Sequence, residues 1–126
     1  TVVLEAQNPH EQPRYPLQTS AGVLAAVERV HTGSGARLGW LYDVYQHQRS
    51  EGNLIATIDE HAGRMTHVQI ADPPGRSQPG TGEVAWPRVF GALERAGYDG
   101  WVGLEYKATG STQDSFDWLG DEEVTG

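Results

Sequence analysis

The stretch His67-Val-Gln-Ile-Ala-Asp-Pro-Pro-Gly-Arg-Ser-Gln-Pro-Gly-Thr-Gly-Glu83 begins with the pattern of a β-strand and continues as a loop rich in proline and glycine. Val68 and Ile70 alternate with the polar residues His67 and Gln69, which is the two-residue period of a strand that buries one face. The prolines and glycines predict a stiff loop without regular structure. Polar groups at the C-terminal end of a strand, followed by a long loop, are typical of an α/β active site, although a surface hairpin also fits this stretch alone.

Strands and helices alternate along the rest of the chain. The predicted strands are residues 1–5, 36–43, 65–71 and 101–105, the predicted helices are residues 19–30, 53–62, 86–97 and 112–119, and residues 44–52 are a polar loop or a turn of helix. This βαβαβαβα order predicts an α/β fold with a parallel sheet and right-handed crossovers. We expect one domain over residues 1–119 and an acidic, flexible tail over residues 120–126.

The composition excludes several classes of function. The chain has 126 residues, enough for one small domain with a core, and it contains no cysteine. The lack of cysteine excludes disulfides, thiolate catalysis and cysteine-bound zinc, and is compatible with the reducing cytoplasm, where we expect the protein. No apolar run approaches the roughly 20 residues that span a bilayer, so no membrane partner is expected. The formal charge of −8 argues against nucleic acid, whose phosphates need a basic surface.

Each of the four predicted strands has an oxygen-bearing side chain at or near its C-terminal end: Glu5, Asp43, Gln69 and Glu105. The two-residue period places all four on one face, and in a parallel barrel they would converge at one mouth. Three converging carboxylates repel one another unless they are protonated or bridged by a cation. Together with an amide oxygen they suit Mg²⁺ or Mn²⁺ better than zinc. Four unrelated polar residues at strand ends would give the same pattern, so both interpretations stay open at this point.

Five short segments, taken in order, carry a resemblance to a known family. They are Leu-Glu-Ala-Gln-Asn8, Leu-Tyr-Asp-Val-Tyr45 with Gln48, His-Val-Gln-Ile-Ala-Asp72, Pro-Gly-Thr-Gly-Glu83 and Gly-Tyr-Asp-Gly-Trp-Val-Gly-Leu-Glu-Tyr-Lys107. The chain resembles the hydroxypyruvate isomerase family, a branch of the xylose-isomerase-like TIM barrels, and matches only its C-terminal half. The resemblance implies four βα units of a (β/α)8 barrel. Such a half barrel would be completed by forming a homo-oligomer or by a complementary half, or it would be a truncated fragment.

The resemblance also implies a reaction. A divalent metal, Mg²⁺ or Mn²⁺, would be held by Glu5, Asp43, Gln69 and Glu105. The substrate would be a small 2-hydroxy carbonyl acid, with hydroxypyruvate and tartronate semialdehyde interconverted through a cis-enediolate, a step of carbohydrate metabolism. Glu5 and Glu105 would be the catalytic residues that move the proton.

Five further residues are candidates for binding the substrate. Arg76 matches a substrate carboxylate because a guanidinium can bind it through two parallel hydrogen bonds, although a solvated loop arginine is the alternative. Asn8 and Glu11 resemble positions near the substrate in related epimerases. His67 either orients the site or is a buried histidine with satisfied hydrogen bonds. Gln46 stands where the family usually has a histidine that contacts substrate, which leaves substrate choice and rate open.

Two alternatives accompany the leading interpretation. A related ketose epimerase or sugar isomerase would keep the barrel and the metal, but those enzymes often have histidine at the position of Gln69. An inactive half barrel would serve only as an assembly module, which the missing strands favour and the four intact ligands disfavour. The DNA-repair endonucleases of the same superfamily need histidine-rich zinc sites and a basic face, and this sequence offers neither.

Overall fold

The computed structural model describes residues 1–120, so most of the predicted acidic tail, residues 121–126, lies outside the described part. The strands are β1 (Val2–Glu5), β2 (Leu38–Asp43), β3 (Met65–Ile70) and β4 (Val102–Leu104), and the helices are α1 (Ser20–Ser34), α2 (Val44–Ser50), α3 (Leu54–His61) and α4 (Trp86–Arg95). All strand pairs are parallel, and the strands lie in the sheet in their chain order. The predicted α/β fold with a parallel sheet is confirmed.

Local capping residues fix the ends of the helices. The Thr19 hydroxyl accepts a hydrogen bond from the amide of Gly22 at the start of α1, as an N-cap residue does. This helix runs four residues further than predicted, because it ends only at Gly35, which adopts the left-handed conformation (φ 70°) that favours glycine. Asp43 caps α2, so the helical one of the two alternatives for residues 44–52 is the one that forms, over Val44–Ser50.

The predicted helix over residues 112–119 is wrong. Only a short 3₁₀ turn forms there, at Asp114–Phe116. The hydroxyl of Ser111 accepts from the amide of Asp114, and the hydroxyl of Ser115 donates to the carbonyl of Thr112. Ser111 therefore caps the start of this turn, and the amides of Phe116, Asp117 and Leu119 bond carbonyls three residues back instead of four, so the segment forms 3₁₀ turns and not an α-helix.

The core lies between the sheet and the helices on one of its faces. The buried apolar residues of this core include Val23, Val27, Trp40, Tyr42, Ile58, Val68, Ile70, Val89 and Leu93. Val2 and Leu104 have the same parity as these strand residues but are 65% and 42% exposed. Because β1 and β4 are the two edges of the sheet, nothing in the described residues covers them fully.

The strand register places the four strand-end residues on the face of the sheet opposite the core. Glu5 lies opposite Leu41, Asp43 lies opposite Gln69, and Gln69 lies opposite Gly103. The four strand-end residues therefore share one face, as the two-residue period predicts. Asp43 lies two residues after Leu41, the residue paired with Glu5. Glu105 lies two residues after Gly103, the residue paired with Gln69. Within residues 1–120, every helix is too short or too polar to span a membrane.

Candidate metal and substrate site

Asp43 is the most buried acid of the site. It ends β2, and its Oδ1 atom accepts a hydrogen bond of 3.1 Å from the amide of Gln46, which caps α2. Its Oδ2 atom is buried and has no hydrogen-bond partner. One oxygen therefore serves the helix while the other faces the site unsatisfied.

Three carboxylates converge at this edge of the sheet. Glu5, Asp43 and Glu105 each place one oxygen so that the three atoms lie within 4.8 Å of one another. Glu5 Oε1 and Gln69 Oε1, like Asp43 Oδ2, are buried without a hydrogen-bond partner. Buried polar atoms are normally paired, and these three unpaired oxygens are acceptors that a single electropositive partner would satisfy together. A set of carboxylate and amide oxygens fits a hard divalent cation such as Mg²⁺ or Mn²⁺.

The pKa values of two of the site carboxyls are raised. Burial, with smaller contributions from the neighbouring Glu5 and Glu105, raises the pKa of Asp43 to about 8, against the opposing effects of the Gln46 amide and Arg76. Burial and then repulsion by Glu105 raise the pKa of Glu5. Without a cation, the site therefore retains protons at pH values where ordinary carboxyls have lost them.

Arg76 is the nearest cation to the acids. Its Nη2 atom lies 3.2 Å from Glu105 Oε2 and 3.8 Å from Asp43 Oδ2, and its Nη1 atom lies 4.0 Å from Glu11 Oε2. The guanidinium carbon lies 4.8 Å from the centre of the Tyr45 ring, within the range of a cation–π contact. Arg76 has a φ of 57°, and a non-glycine residue in this left-handed region is uncommon. The loop thus holds this guanidinium at the opening between Glu11, Asp43 and Glu105, called the mouth of the site below.

Asp72, which sequence reasoning did not single out, organises that loop. Its buried carboxylate accepts hydrogen bonds from the amides of Gly80 and Val84 and from the indole of Trp86. Its backbone pairs in both directions with Ser77, which closes the turn around Arg76. An acid inside a loop rich in proline and glycine, directly after a buried strand, is the signal that could have indicated this role.

Glu11 lies across the mouth from the Asp72 loop. Its carboxylate accepts hydrogen bonds from the hydroxyl of Tyr45 and from the side-chain amide of Asn8. The bond from Tyr45 is the largest cause that lowers the pKa of Glu11, and burial raises the pKa of Tyr45. Arg49 approaches Glu11 to 4.0 Å. The ionised form of Glu11 is therefore the favoured one, and Tyr45 is a second residue that sequence reasoning missed.

Two residues for which the resemblance implies substrate contact do not reach the surface. Asn8 is 0% exposed and Gln46 is 2% exposed. Asn8 Nδ2 donates to Gln46 Oε1 over 2.7 Å, so the two amides bond each other inside the protein. In this structure neither side chain can touch a ligand in the mouth.

His67 lies on the same face as Gln69 but deeper along β3. Its half-buried ring packs over Gly103 of β4, where a Cβ atom would come within 2.8 Å of His67 Nε2. The glycine therefore makes room for the imidazole beneath the carboxylates.

Sequence comparison connects this geometry to known proteins. The family model described as xylose isomerase-like TIM barrel matches residues 1–122. A putative hydroxypyruvate isomerase of Streptomyces coelicolor is 42% identical over 120 residues, which are 94% of this chain and 43% of that protein. The hydroxypyruvate isomerase of Escherichia coli is 35% identical over 94% of this chain and 45% of its own length. The 2-oxo-tetronate isomerase of Haemophilus influenzae is 36% identical with the same coverage. The chain spans less than half the length of these relatives.

Solved structures extend the likeness to the backbone. The crystal structure of AP endonuclease, family 2, from Brucella melitensis superposes with a TM-score of 0.86 at 34% identity, covering 94% of this chain and 45% of that one. The structure of 3-keto-D-glucoside 4-epimerase from Escherichia coli superposes with a TM-score of 0.72 at 28% identity, with the same coverage. The predicted resemblance to the hydroxypyruvate isomerases, over part of a TIM barrel, is confirmed.

Proposed function

Because the chain belongs to the xylose isomerase-like TIM barrel family, we propose that it carries the metal-binding and catalytic residues of an isomerase acting on a small 2-hydroxy carbonyl acid. The specific reaction proposed is the interconversion of hydroxypyruvate and tartronate semialdehyde. Relatives named as hydroxypyruvate isomerases support this choice of substrate. The single observation that carries the proposal is the convergence of three carboxylate oxygens within 4.8 Å of one another.

We propose that Glu5, Asp43, Gln69 and Glu105 hold Mg²⁺ or Mn²⁺. The unpaired buried oxygens of Glu5, Asp43 and Gln69 support this assignment, because a cation would satisfy all of them. When bound, such a cation supplies positive charge that stabilises the oxygens of a substrate from which a carbon-bound proton is removed.

Glu5 and Glu105 are proposed to move the proton. Glu5 ends β1 and Glu105 directly follows β4, so the two carboxylates approach the site from opposite edges of the sheet while sharing one face. One carboxylate would take a proton from the hydroxymethyl carbon, leaving a cis-enediolate, and the other would return a proton to the neighbouring carbon, while the hydroxyl proton passes between the two substrate oxygens. Proton transfer by two positioned carboxylates of this kind is general acid–base catalysis.

Arg76 is proposed to bind the carboxylate of the substrate. Its guanidinium is 27% exposed and lies at the mouth within 3.2 Å of Glu105. A cation held by Asp43 and Glu105 would compensate two of the acids that now surround Arg76, which would leave its N–H groups available for a planar anion. Glu11 faces the same opening, where it could accept a hydrogen bond from a substrate hydroxyl.

The test is isomerisation of hydroxypyruvate in the presence of Mg²⁺ or Mn²⁺, followed through the exchange of the transferred hydrogen with solvent. Glu105→Gln should lower turnover by about 10²- to 10⁴-fold, the usual contribution of a general acid–base residue, with an unchanged circular dichroism spectrum. The matched control is Glu94→Gln, on the exposed side of α4, which should retain activity. Full turnover in Glu105→Gln would remove Glu105 as a proton carrier.

A second candidate function is isomerisation or epimerisation of a longer sugar acid or ketose. The similarity to a 2-oxo-tetronate isomerase and to a sugar epimerase favours it. A panel of 2-oxo acids and ketoses of three to six carbons would separate the two candidates by their kcat/KM. A protein that binds neither metal and turns over no member of the panel would instead be an assembly module.

A further inference from the structure

Gln46 lies three residues after Asp43, at a position where the resembled family usually has a histidine in contact with the substrate. We infer that Gln46 is a positioning residue in this protein: it holds Glu11 in place through Asn8 and touches no substrate itself. The inference deepens the proposed function and rests on it, because its importance for turnover requires that the site acts on a substrate.

Both the oxygen and the nitrogen of the Gln46 side-chain amide make hydrogen bonds within the protein. Its Oε1 atom accepts hydrogen bonds from the backbone amide of Asn8, at 2.9 Å, and from the side-chain amide of Asn8, at 2.7 Å. Its Nε2 atom donates to Gln7 Oε1 at 3.1 Å. All three bonds reach the loop after β1, 38 or 39 residues away in the sequence. The side chain of Gln46 thus joins α2 to that loop.

Asn8 passes this restraint on to Glu11. Its Oδ1 atom accepts from the backbone amide of Glu11 at 3.0 Å, and its Nδ2 atom donates to Glu11 Oε2 at 3.2 Å. Both the backbone and the carboxylate of Glu11 are therefore fixed by one buried amide. The hydroxyl of Tyr45 binds the other oxygen of Glu11, so Gln46 and Tyr45, consecutive residues of α2, hold the same carboxylate.

The restraint matters because of Arg76. Three carboxylates surround its guanidinium, those of Asp43, Glu105 and Glu11. Asp43 and Glu105 belong to the proposed metal site, so only Glu11 remains as the anion that orients Arg76 once a cation is bound. If Glu11 shifted, Arg76 would lose its direction toward the substrate carboxylate, although all four proposed metal ligands would stay in place.

Gln46→Met tests the inference because it keeps the length of the side chain and removes both hydrogen-bonding ends. We expect kcat/KM to fall about 10- to 100-fold, as a small misplacement of a binding group can produce, while the affinity for Mn²⁺ stays within about twofold. Gln48→Met, two residues further along the same helix, is the matched control and should behave like the unchanged protein.

A double-mutant cycle with Glu11→Gln separates positioning from direct contact. If Gln46 acts through Glu11, then Gln46→Met should change kcat/KM by less than about twofold in a protein that already carries Glu11→Gln. An equal loss in both backgrounds would show that Gln46 acts independently of Glu11, and would overturn the inference. An unchanged kcat/KM in the single variant would overturn it as well.

Hydrogen exchange of backbone amides provides a readout that needs neither turnover nor a folded variant. In the unsubstituted protein, the amides of Asn8 and Glu11 should exchange as slowly as those of the sheet, because Gln46 and Asn8 bind them. Fast exchange of either amide would overturn the inference even if the protein is an active isomerase. Slow exchange in a protein without isomerase activity would instead refute the proposed function and leave the role of Gln46 in holding the loop intact.

Discussion

At the scale of single residues, Asp43 combines two roles on its two oxygens. One oxygen caps α2, and the other lies buried and unpaired among the site acids. The cap is a role that asparagine can also fill, whereas the unpaired oxygen needs a proton or a cation. The substitution Asp43→Asn therefore separates the structural role of this residue from its electrostatic role.

This separation leads to a prediction on pH. The folded-state pKa of Asp43, about 8, is above its ordinary value of 3.8, so the folded protein binds a proton that the unfolded chain releases. The contribution of Asp43 to the free energy of unfolding is full below pH 3.8 and is lost as pH rises toward 8. Denaturant unfolding without divalent metal should thus show the protein losing stability relative to Asp43→Asn between about pH 4 and 8.

Saturating Mn²⁺ should remove this loss of folding stability at high pH, because the cation takes the place of the proton on Asp43. Metal binding should accordingly tighten as pH rises over the same range. Parallel pH profiles of the two proteins without metal would contradict the raised pKa.

At the scale of elements, the loop from Asp72 to Trp86 determines where Arg76 lies. The sequence predicted a stiff loop here from its prolines and glycines, and the structure adds the carboxylate of Asp72 as the group that binds three of its N–H donors. Gly82 packs directly against this loop's start. A Cβ atom at residue 82 would lie 1.9 Å from the backbone carbonyl oxygen of Pro73.

Gly82→Ala should therefore destabilise the protein by about 1–3 kcal/mol, the usual cost of overpacking, because a backbone atom cannot move aside as a side chain can. It should also raise KM for the substrate acid by displacing Arg76. Gly75→Ala in the same loop is the control, since its Cβ would come no closer than 3.4 Å to Ser77 Oγ. Urea denaturation of the three proteins gives the comparison. Equal stabilities would show that the loop can open at Gly82 without cost.

The same elements show what the sequence could and could not predict. Strand parity placed Glu5, Asp43, Gln69 and Glu105 on one face, because a period of two leaves no freedom once the strands are located. The bond between Tyr45 and Glu11 joins residues 34 apart, and no local period reports such a contact. The helix expected over residues 112–119 failed for a local reason, because its backbone amides bond three residues back instead of four, a difference that the spacing of apolar side chains does not report.

At the scale of the whole molecule, exposed apolar side chains mark the open edges of the sheet. Among the described residues, four large hydrophobic side chains are exposed, and three of them, Val2, Trp101 and Leu104, lie on or next to β1 or β4. Edge strands also carry unpaired backbone groups that favour pairing with another strand. We propose that these edges bind further strands, from a second copy of the chain or from a complementary half barrel.

Leu104→Lys tests this proposal on the chain alone. Light scattering at moderate salt, which screens the repulsion between chains of charge −8, should give the unsubstituted chain a mass above that of one copy. Leu104→Lys should shift the mass toward a single copy, because a charge on the edge opposes pairing. Tyr15→Lys changes an exposed hydrophobic residue away from the edges and should have no such effect. A single-copy mass for the unsubstituted chain at every concentration would refute self-association through these edges.

The stepped register of the sheet bears on the geometry of such an assembly. Following the site residues from Glu5 to Glu105, the path climbs two residues between β1 and β2, none between β2 and β3, and two between β3 and β4. That is a rise of four residues over the three steps between neighbouring strands. If the alternation of two and none continued around a ring of eight strands, the total would be eight, the shear number found in (β/α)8 barrels. The stagger of these four strands therefore matches part of a closed barrel, and closure on that pattern would need new neighbours but no change of register within the sheet.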